Sequence, residues 1–419
     1  MLQVVEIFKE LALVPHCSGA TEAMKDHLLS EAEALGYESE VDAAGNILCR
    51  KAGSKLTLQA HYDMVCIGTA PEITIIENEG WLSAKGSTLG ADNGIAMAMM
   101  LCLMREGAPV DALFTNDEEI GLLGARSLDV SIATRYLLNI DSEEEGVVTI
   151  GCAGGEDIIA ELDVNTTDAE GECFECVVEG LPGGHSGIDI DKNIPNAIKE
   201  LAAILQPLDA PLVSFEGGER RNAIAKRATA RILCDTLPEG MEARSLGVQR
   251  VKVVNEGARL ISMLHAFAHG VRGYDAKLGI VRDSINLAQV EYEAGKMRIH
   301  LSARSMSEAG LRRLSSECRT YFEAFGAKVR TEGYYPPWQP EATPFAVRVQ
   351  EAVAQVSGKG ALGAIHAGLE CGIIKERYKG LEIASIGPNI VAPHSTLERV
   401  EIASVTNVYK TVHVLIASL

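Results

Sequence analysis

Positive charge and long hydrophobic runs are both scarce in this chain of 419 residues. It has 38 Lys plus Arg against 58 Asp plus Glu, a formal net charge of −20, which repels phosphate backbones and anionic lipid. Its longest apolar run, residues 95–104, is about half the length that a membrane-spanning helix needs. We therefore expect no nucleic-acid partner and no membrane partner.

The start of the chain also lacks the pattern of a signal peptide. Glu6, Lys9 and Glu10 interrupt the apolar residues of MLQVVEIFKELALV, which is typical of an amphipathic helix. The ten cysteines are few and scattered, as reduced core residues are, rather than a dense disulfide framework. Both features predict a cytoplasmic protein.

Several familiar catalytic motifs are missing. No phosphate loop of the G-x-x-x-x-G-K-[ST] type is present, so nucleotide-driven chemistry has no support. His265 and His269 are four residues apart, but Ala266 stands where a zinc protease of the H-E-x-x-H type needs glutamate. We expect these two histidines to share and pack one face of a helix.

The chain is long enough for two or three domains, and 47% of its residues are hydrophobic. Residues 1–171 alternate helical patterns (1–13, 21–35, 93–105) with strand patterns (56–60, 112–115, 136–140). Residues 172–339 are rich in Val and Thr strands, and the alternation resumes over 340–419. The prediction is an α/β protein. A helix-covered, mostly parallel sheet forms the catalytic domain, and 172–339 form an inserted α+β lid domain.

The first candidate site residues are His61 and Asp63. Side chains two residues apart on a strand point to the same face, so Asp63 can accept the ring N–H of His61. The other ring nitrogen is then free to bind a metal. Taken alone, an H-x-D pair is also typical of ordinary polarity at a surface or in a core.

More polar side chains follow other predicted strands. Glu118 and Glu119 follow a buried strand, Asp141 directly follows the next, and His394 lies just beyond a later one. Open α/β sheets place their sites at such carboxyl ends. Asp92 precedes a long apolar helix, where a helix N-cap is the simpler explanation, and the acids after the strand also fit an exposed turn.

Together these residues favour a metal centre. Zinc accepts histidine nitrogen and carboxylate oxygen. Two Zn²⁺ would be neutralised by three carboxylates and one hydroxide. The set that suits a two-zinc site comprises His61, Asp92, Glu119, Asp141 and His394. Glu118 then remains as a general base for a water that bridges the ions.

The chain resembles a known family over nearly its whole length. The matching motifs, in order, are HYDMV, STLGADNGIAMA, NDEEIGLLGA, NIDSEEEG with GCAGG, GLPGGHSG, RNAIAKRA, HAGLECG and GPNIVAPHS. They resemble the aminoacyl-histidine dipeptidases, also called Xaa-His or cytosol nonspecific dipeptidases. Those enzymes belong to the two-zinc metallopeptidase superfamily that includes carnosinases and carboxypeptidase G.

The resemblance implies roles for the candidate residues. His61 and Asp141 would hold one zinc ion and Glu119 and His394 the other, with Asp92 bridging the two. Asp63 would orient His61, and Glu118 would be the base. Co²⁺ or Mn²⁺ would substitute for zinc.

Residues of the lid and of a later motif would meet the substrate. His185 in GGHSG would stabilise the oxyanion, and Asn222 would be a second lid contact. His366, Gly368 and Glu370 in HAGLECG would face the C-terminal carboxylate of the peptide. The resemblance leaves open a homodimer through the lid, and leaves open whether His185 serves its own chain's site or that of the other copy.

The predicted function is metal-dependent hydrolysis of dipeptides, either Xaa-His or broad in specificity. Within the same superfamily the alternatives are a tripeptide aminopeptidase and an N-acyl amino acid amidohydrolase. A non-catalytic peptide-binding relic is a more remote alternative, and the intact set of metal-ligand residues together with Glu118 argues against it.

Overall fold

The computed structural model describes residues 2–235, 237, 243–293 and 295–419. The described α-helices are α1 (Leu2–Leu11), α2 (Glu22–Ala34), α3 (Ala91–Arg105), α4 (Leu123–Arg126), α5 (Ala197–Leu205), α6 (Gly257–Ala266), α7 (Glu308–Ala324), α8 (Pro344–Ser357), α9 (Glu370–Arg377) and α10 (Ile402–Ser418). The early strands are β1 (Glu38–Val41), β2 (Ile47–Arg50), β3 (Leu56–His61), β4 (Ile75–Asn78), β5 (Trp81–Ala84), β6 (Val110–Thr115), β7 (Tyr136–Asn139) and β8 (Val147–Cys152).

The remaining strands are β9 (Gly154–Asp163), β10 (Thr166–Val178), β11 (Gly184–His185), β12 (Leu212–Gly217), β13 (Ala223–Ile224), β14 (Ala228–Leu233), β15 (Ala243–Val254), β16 (Gly270–Asp275), β17 (Ile280–Glu293), β18 (Lys296–Ser305), β19 (Lys328–Tyr335), β20 (Ala361–Ile365), β21 (Glu382–Ser385), β22 (Ile390–Val391) and β23 (Arg399–Glu401). The helix predicted over 93–105 corresponds to α3, and the strand predicted over 136–140 corresponds to β7.

The chain divides into two compact units. The first comprises residues 1–152, 338–364 and 369–419, and the second comprises 153–337 and 365–368. The predicted boundary at Glu172 is therefore too late, since β9 already belongs to the second unit. β9 precedes that boundary in the sequence, but its antiparallel partners are β18 and β19, which come much later in the chain.

The first unit contains an eight-stranded sheet in the order β1-β2-β6-β3-β7-β21-β8-β20. The neighbours β6, β3, β7 and β21 are parallel, whereas β1, β2 and β8 pair antiparallel. The α/β class is confirmed, but the expectation of a mostly parallel sheet holds only for these four central strands. A short connection joins the antiparallel strands β1 and β2, whereas α3 lies between the parallel strands β3 and β6 and returns the chain in the same direction.

Helix α3 is the most deeply buried helix of the first unit. Nearly all its side chains from Asn93 to Met104 are buried, because the sequence offers no polar face to solvent. α1 packs against it, with Phe8 and Leu11 in the same core. This buried helix begins at Ala91, so the site residue Asp92 lies in its first turn, on a rigid element.

The second unit is built on a nine-stranded sheet. Its order is β15-β10-β14-β12-β17-β18-β9-β19, with β16 paired to β17. Helices α5, α6 and α7 supply buried side chains such as Leu201, Leu264 and Phe322 to the core of this unit. The predicted α+β texture is confirmed here.

Two local expectations are wrong. α6 ends at Ala266, so His269 lies beyond it, and its Nδ1 accepts the N–H of Leu287 at 3.0 Å instead of sharing a helix face with His265. Cys17 and Cys66 form a disulfide, although the scattered cysteines suggested that all were reduced.

Among the described helices, none is long and apolar enough to cross a membrane.

Candidate metal centre

The central parallel strands of the first unit bring the predicted ligands to one edge of the sheet. In the β3–β6 register His61 lies opposite Thr115, and in the β3–β7 register Gln59 lies opposite Asn139. The loops that leave β6 and β7 carry Glu118, Glu119 and Asp141. Because parallel strands share a carboxyl edge, residues far apart in sequence converge there.

The five predicted ligands form two groups that share Asp92. His61 Nε2 lies 3.1 Å from Asp92 Oδ1 and 3.5 Å from Asp141 Oδ1. His394 Nε2 lies 3.1 Å from Asp92 Oδ2 and 2.8 Å from Glu119 Oε1. In each group of three residues, one candidate ligand atom from each lies within 4.8 Å of the others. The structure thus brings all five residues together, with one carboxylate between two histidines.

Asp63 makes contacts that the sequence only partly predicted. The ring Nδ1 of His61 lies 2.9 Å from the main-chain oxygen of Asp63 and 3.4 Å from its carboxylate. The carboxylate instead accepts the backbone N–H of Glu118 at 2.9 Å and of Glu119 at 3.3 Å, and the Ser18 hydroxyl at 2.7 Å. Asp63 therefore orients His61 through its backbone and fixes the two glutamates through its side chain.

The electrostatics of the site favour cations. Burial raises the pKa of Glu118 well above its usual range, and the nearby charges of Glu119 and Asp141 add to this effect against the opposing His61. Burial, together with the charge of Asp92, raises the pKa of Glu119 to about 7. Carboxylates crowded in this way need protons or metal ions between them. Two imidazole nitrogens and three carboxylates are a donor set that divalent zinc accepts, so the residues fit the predicted metal.

Two further residues support the predicted ligands and were missed by sequence reasoning. Asn93 Nδ2 donates to Asp141 Oδ1 at 2.5 Å. The buried Glu398 carboxylate accepts the backbone N–H groups at the start of α3, those of Leu89 (2.7 Å), Gly90 (3.0 Å), Ala91 (2.7 Å) and Asp92 (3.3 Å). Glu398 is some three hundred residues from these amides, and no sequence signal links them.

Glu370 lies in the interior rather than on a surface that a substrate could reach. Its side chain is fully buried, and its Oε2 accepts Gln59 Nε2 and Thr115 Oγ1, each at 2.6 Å. Burial raises its pKa to about 7, against the opposing charge of His61. The expectation that Glu370 faces the peptide carboxylate is therefore not met in this structure. Its contacts are those of a residue that joins β3 to β6.

The remaining predicted substrate residues belong to the second unit. His185 lies in β11, which pairs with β13, and its Nδ1 accepts the N–H groups of Gly187 at 3.2 Å and Ile188 at 3.1 Å. With Nδ1 accepting, a neutral ring carries its proton on Nε2, which makes that atom a donor. The main-chain oxygen of Asn222 accepts the N–H of Ser186 at 2.9 Å. The structure therefore brings Asn222 to the His185 turn through its backbone.

His366 and Gly368 lie in the short segment 365–368 that joins the second unit. His366 Nε2 is 2.8 Å from Ser284 Oγ, and burial, together with the charge of Arg304, lowers its pKa to about 3. A side chain on Gly368 would start 2.9 Å from the Tyr335 ring, so the ring would have to shift to accept it. Both residues are tightly packed within the second unit.

Arg304 is a buried cation that sequence reasoning missed. Its guanidinium donates to Tyr335 Oη at 2.6 Å and to Ser186 Oγ at 3.3 Å, and it is only 7% exposed. Its Nε has no hydrogen-bond partner. A buried guanidinium of this kind is suited to bind an anion. It adjoins the turn that carries His185.

Comparisons with known proteins show the family of this chain. Residues 57–418 match the model of peptidase family M20/M25/M40. The chain is 35% identical to the cytosol non-specific dipeptidase of Escherichia coli (strain K12), over 96% of this chain and 94% of that protein.

Solved structures give the same result. The aminoacylhistidine dipeptidase of Vibrio alginolyticus superposes with a TM-score of 0.80 at 29% identity, covering 100% of this chain and 96% of that one. A tripeptidase from Staphylococcus aureus has a TM-score of 0.63 at 18% identity over 99% and 97% of the two chains, which shows a shared fold alone. The chain is therefore a peptide hydrolase and belongs to peptidase family M20/M25/M40.

Proposed function

We propose that this protein is a two-zinc dipeptidase. The observation that carries the proposal is the position of Asp92, whose two carboxylate oxygens each lie 3.1 Å from a different histidine. His61 and Asp141 would hold one ion, and Glu119 and His394 the other, as the resemblance implied. Two bound zinc ions would polarise the scissile carbonyl and lower the pKa of the attacking water.

The protein's own groups would move the protons. Glu118 is grouped with His61 and Glu119 but belongs to neither ligand group around Asp92. Burial raises its pKa, so it is suited to take a proton from water and pass it to the leaving amine. The Nε2–H of His185 would stabilise the oxyanion. In the second unit, the lid of this proposal, the Arg304 guanidinium is suited to the peptide's C-terminal carboxylate, with Asn222, His366 and Gly368 shaping its surroundings.

The substrate class follows from the relatives. Metal-dependent dipeptide hydrolysis is supported by the matches to the dipeptidases of Escherichia coli and Vibrio alginolyticus. The name of the Escherichia coli relative places that protein in the cytosol, and we propose the same location for this chain. We also propose that its substrates are small peptides. A homodimer through the second unit remains part of the proposal.

Metal content and substrate range test the proposal together. Purified protein should hold up to two zinc ions per chain, and EDTA should abolish hydrolysis, with Zn²⁺, Co²⁺ or Mn²⁺ restoring it. Mass spectrometry of the native protein measures the metal. A panel of dipeptides including β-alanyl-histidine, with tripeptides and N-acetyl amino acids beside them, measures the range. Full activity after exhaustive chelation, or turnover confined to tripeptides or acylated amino acids, would contradict the proposal.

A further inference from the structure

The segment 16–21, which we call the strap, connects α1 to α2 and runs beside the end of β3. Cys17 forms a parallel bridge with Met64. Met64 N donates to His16 O at 3.0 Å, and Ser18 N donates to Met64 O at 3.1 Å. The strap therefore lies against the chain immediately after the H-x-D pair, within the first unit.

The strap also holds the two loops that carry the candidate ligands and base. Ser18 Oγ donates to the Asp63 carboxylate at 2.7 Å, and Gly19 N donates to the Asp117 carboxylate at 2.6 Å. Thr21 Oγ1 donates to Asn116 Oδ1 at 2.8 Å. One short segment thus ties the turn after β3 to the turn after β6.

Asp63 connects the strap to the metal centre, because it contacts both. Its carboxylate accepts the N–H groups of Glu118 and Glu119, and its main-chain oxygen holds the ring of His61. A shift of the strap would therefore change the setting of a proposed base and two proposed ligands at once. Outer contacts of this kind alter metal affinity or activity by about 10–100-fold when removed.

The covalent anchor of the strap is the disulfide between Cys17 and Cys66. Both cysteines are half-buried, whereas seven of the eight free cysteines are buried. Disulfides in reducing compartments are usually transient or redox-sensing. A disulfide next to the metal centre, in a protein proposed to be cytosolic, is therefore placed to respond to thiols.

We propose that the Cys17–Cys66 disulfide is a redox-controlled positioning device for the metal centre. The inference rests on the proposed function. An external dithiol reduces the bond: two electrons and two protons pass to the cysteines, giving two protein thiols, and the dithiol becomes a cyclic disulfide. The freed strap then holds Asp63 only by hydrogen bonds, and the metal centre binds zinc more weakly.

The test uses the full chain purified without reductant and equilibrated in mixtures of reduced and oxidised dithiothreitol. Alkylation and mass spectrometry report the state of Cys17 and Cys66, and competition with a chromophoric chelator reports zinc affinity. Reduction should weaken zinc binding about tenfold and lower kcat more than it raises KM. A doubly substituted chain, Cys17→Ser with Cys66→Ser, should show the weaker affinity under all conditions.

Two further variants separate positioning from folding. Cys234→Ser removes a half-buried free cysteine in the other unit and should respond to reduction as the unchanged protein does. Ser18→Ala removes the link to Asp63, so reduction should then have a smaller effect, because the two changes act through one contact. Equal responses of Ser18→Ala and the unchanged protein would contradict the inference.

Other outcomes are equally informative. Free thiols at Cys17 and Cys66 under every oxidising ratio, or equal zinc affinity and kcat in both redox states, would overturn the inference. If the zinc-loaded oxidised protein hydrolyses no dipeptide but still loses zinc affinity on reduction, the proposed function fails while the positioning role stands. The zinc measurement therefore separates the two hypotheses.

Discussion

At the scale of single residues, Glu118 and Glu119 are chain neighbours with different surroundings. Glu119 Oε1 lies 2.8 Å from His394 Nε2, within a ligand group that includes Asp92, whereas Glu118 is grouped with His61 and Glu119 and not with Asp92. Both backbone amides are fixed by the same carboxylate of Asp63, so their side chains diverge from a common anchor. The proposed division between base and ligand follows from this divergence.

Replacing each glutamate in turn tests that division. Glu118→Gln should keep both metal ions while kcat falls by about two to four orders of magnitude, because a general base is lost. Glu119→Gln should weaken the binding of one metal ion. Metal analysis and steady-state kinetics give the answer, and Glu144→Gln at an exposed position serves as the control. If Glu118→Gln lost the metal and Glu119→Gln kept it, the two roles would be exchanged.

At the scale of elements, the start of α3 depends on a distant carboxylate. Four backbone N–H groups there donate to Glu398, which is 2% exposed. Helix N-termini are stabilised by negative charge, and buried amides that lose their acceptor are costly. Glu398 therefore holds the entry of α3, including Asp92.

Glu398→Gln should lower the free energy of unfolding by about 2–3 kcal/mol. The glutamine side chain carries no negative charge, and its NH₂ group would face backbone N–H groups that need an acceptor. Urea unfolding of the metal-free protein measures this. Glu376→Gln, at an exposed position of α9, should change it by less than about 0.5 kcal/mol. Equal stability of the two variants would contradict the capping role.

The contact between His269 and strand β17 gives a prediction for how the stability of the fold depends on pH. His269 accepts the N–H of Leu287, and burial, with the charge of Lys199 adding, lowers its pKa to about 4. The unfolded chain takes up this proton near pH 6.5 and the folded chain only near pH 4, so stability falls as the pH falls between these values. The effect is up to about 3 kcal/mol.

His269→Asn keeps an acceptor but removes the titration, so its stability should fall less steeply between pH 6.5 and 4. Urea unfolding at several pH values measures the difference between the variant and the unchanged protein. His265→Asn, at an exposed position of α6, is the matched control and should follow the unchanged protein. Parallel curves for all three proteins would show that His269 is not the group responsible.

At the scale of the whole molecule, the proposed mechanism needs residues from both units. The proposed ligands and Glu118 lie in the first unit, and His185 lies in the second. His185→Ala should lower kcat and kcat/KM together, by about a hundredfold or more, with unchanged metal content. Kinetics and metal analysis measure this, and an active variant would remove His185 from the mechanism.

Mixing variants tests whether His185 serves a second copy. If the second unit forms a homodimer and His185 acts across it, inactive His185→Ala chains mixed with inactive Glu118→Gln chains should regain part of the activity. One hybrid site would then hold both intact residues. The absence of recovery in heterodimers verified by mass spectrometry would mean that His185 serves its own chain.

The sequence by itself determined the features that depend on residues close to one another in the chain. The H-x-D spacing, the acids that follow apolar strands and the all-apolar α3 are local patterns, and they led to His61, Asp92, Glu119, Asp141 and His394. Periodicity also predicted the major helices and the α/β class, because it records which side of an element faces the core. Four candidate ligands at strand ends, with Asp92 before a buried helix, were enough to indicate a metal centre before any fold was known.

Only the tertiary structure decided the contacts between distant segments. Glu398 accepts hydrogen bonds from the backbone amides at the start of α3, and Cys17 forms a disulfide with Cys66. Glu370 is buried, with hydrogen bonds from Gln59 of β3 and Thr115 of β6. β9 belongs to the second unit because β18 and β19 complete its hydrogen bonds. Such pairings depend on which surfaces the folded chain brings together, and a periodic pattern carries no record of a partner hundreds of residues away.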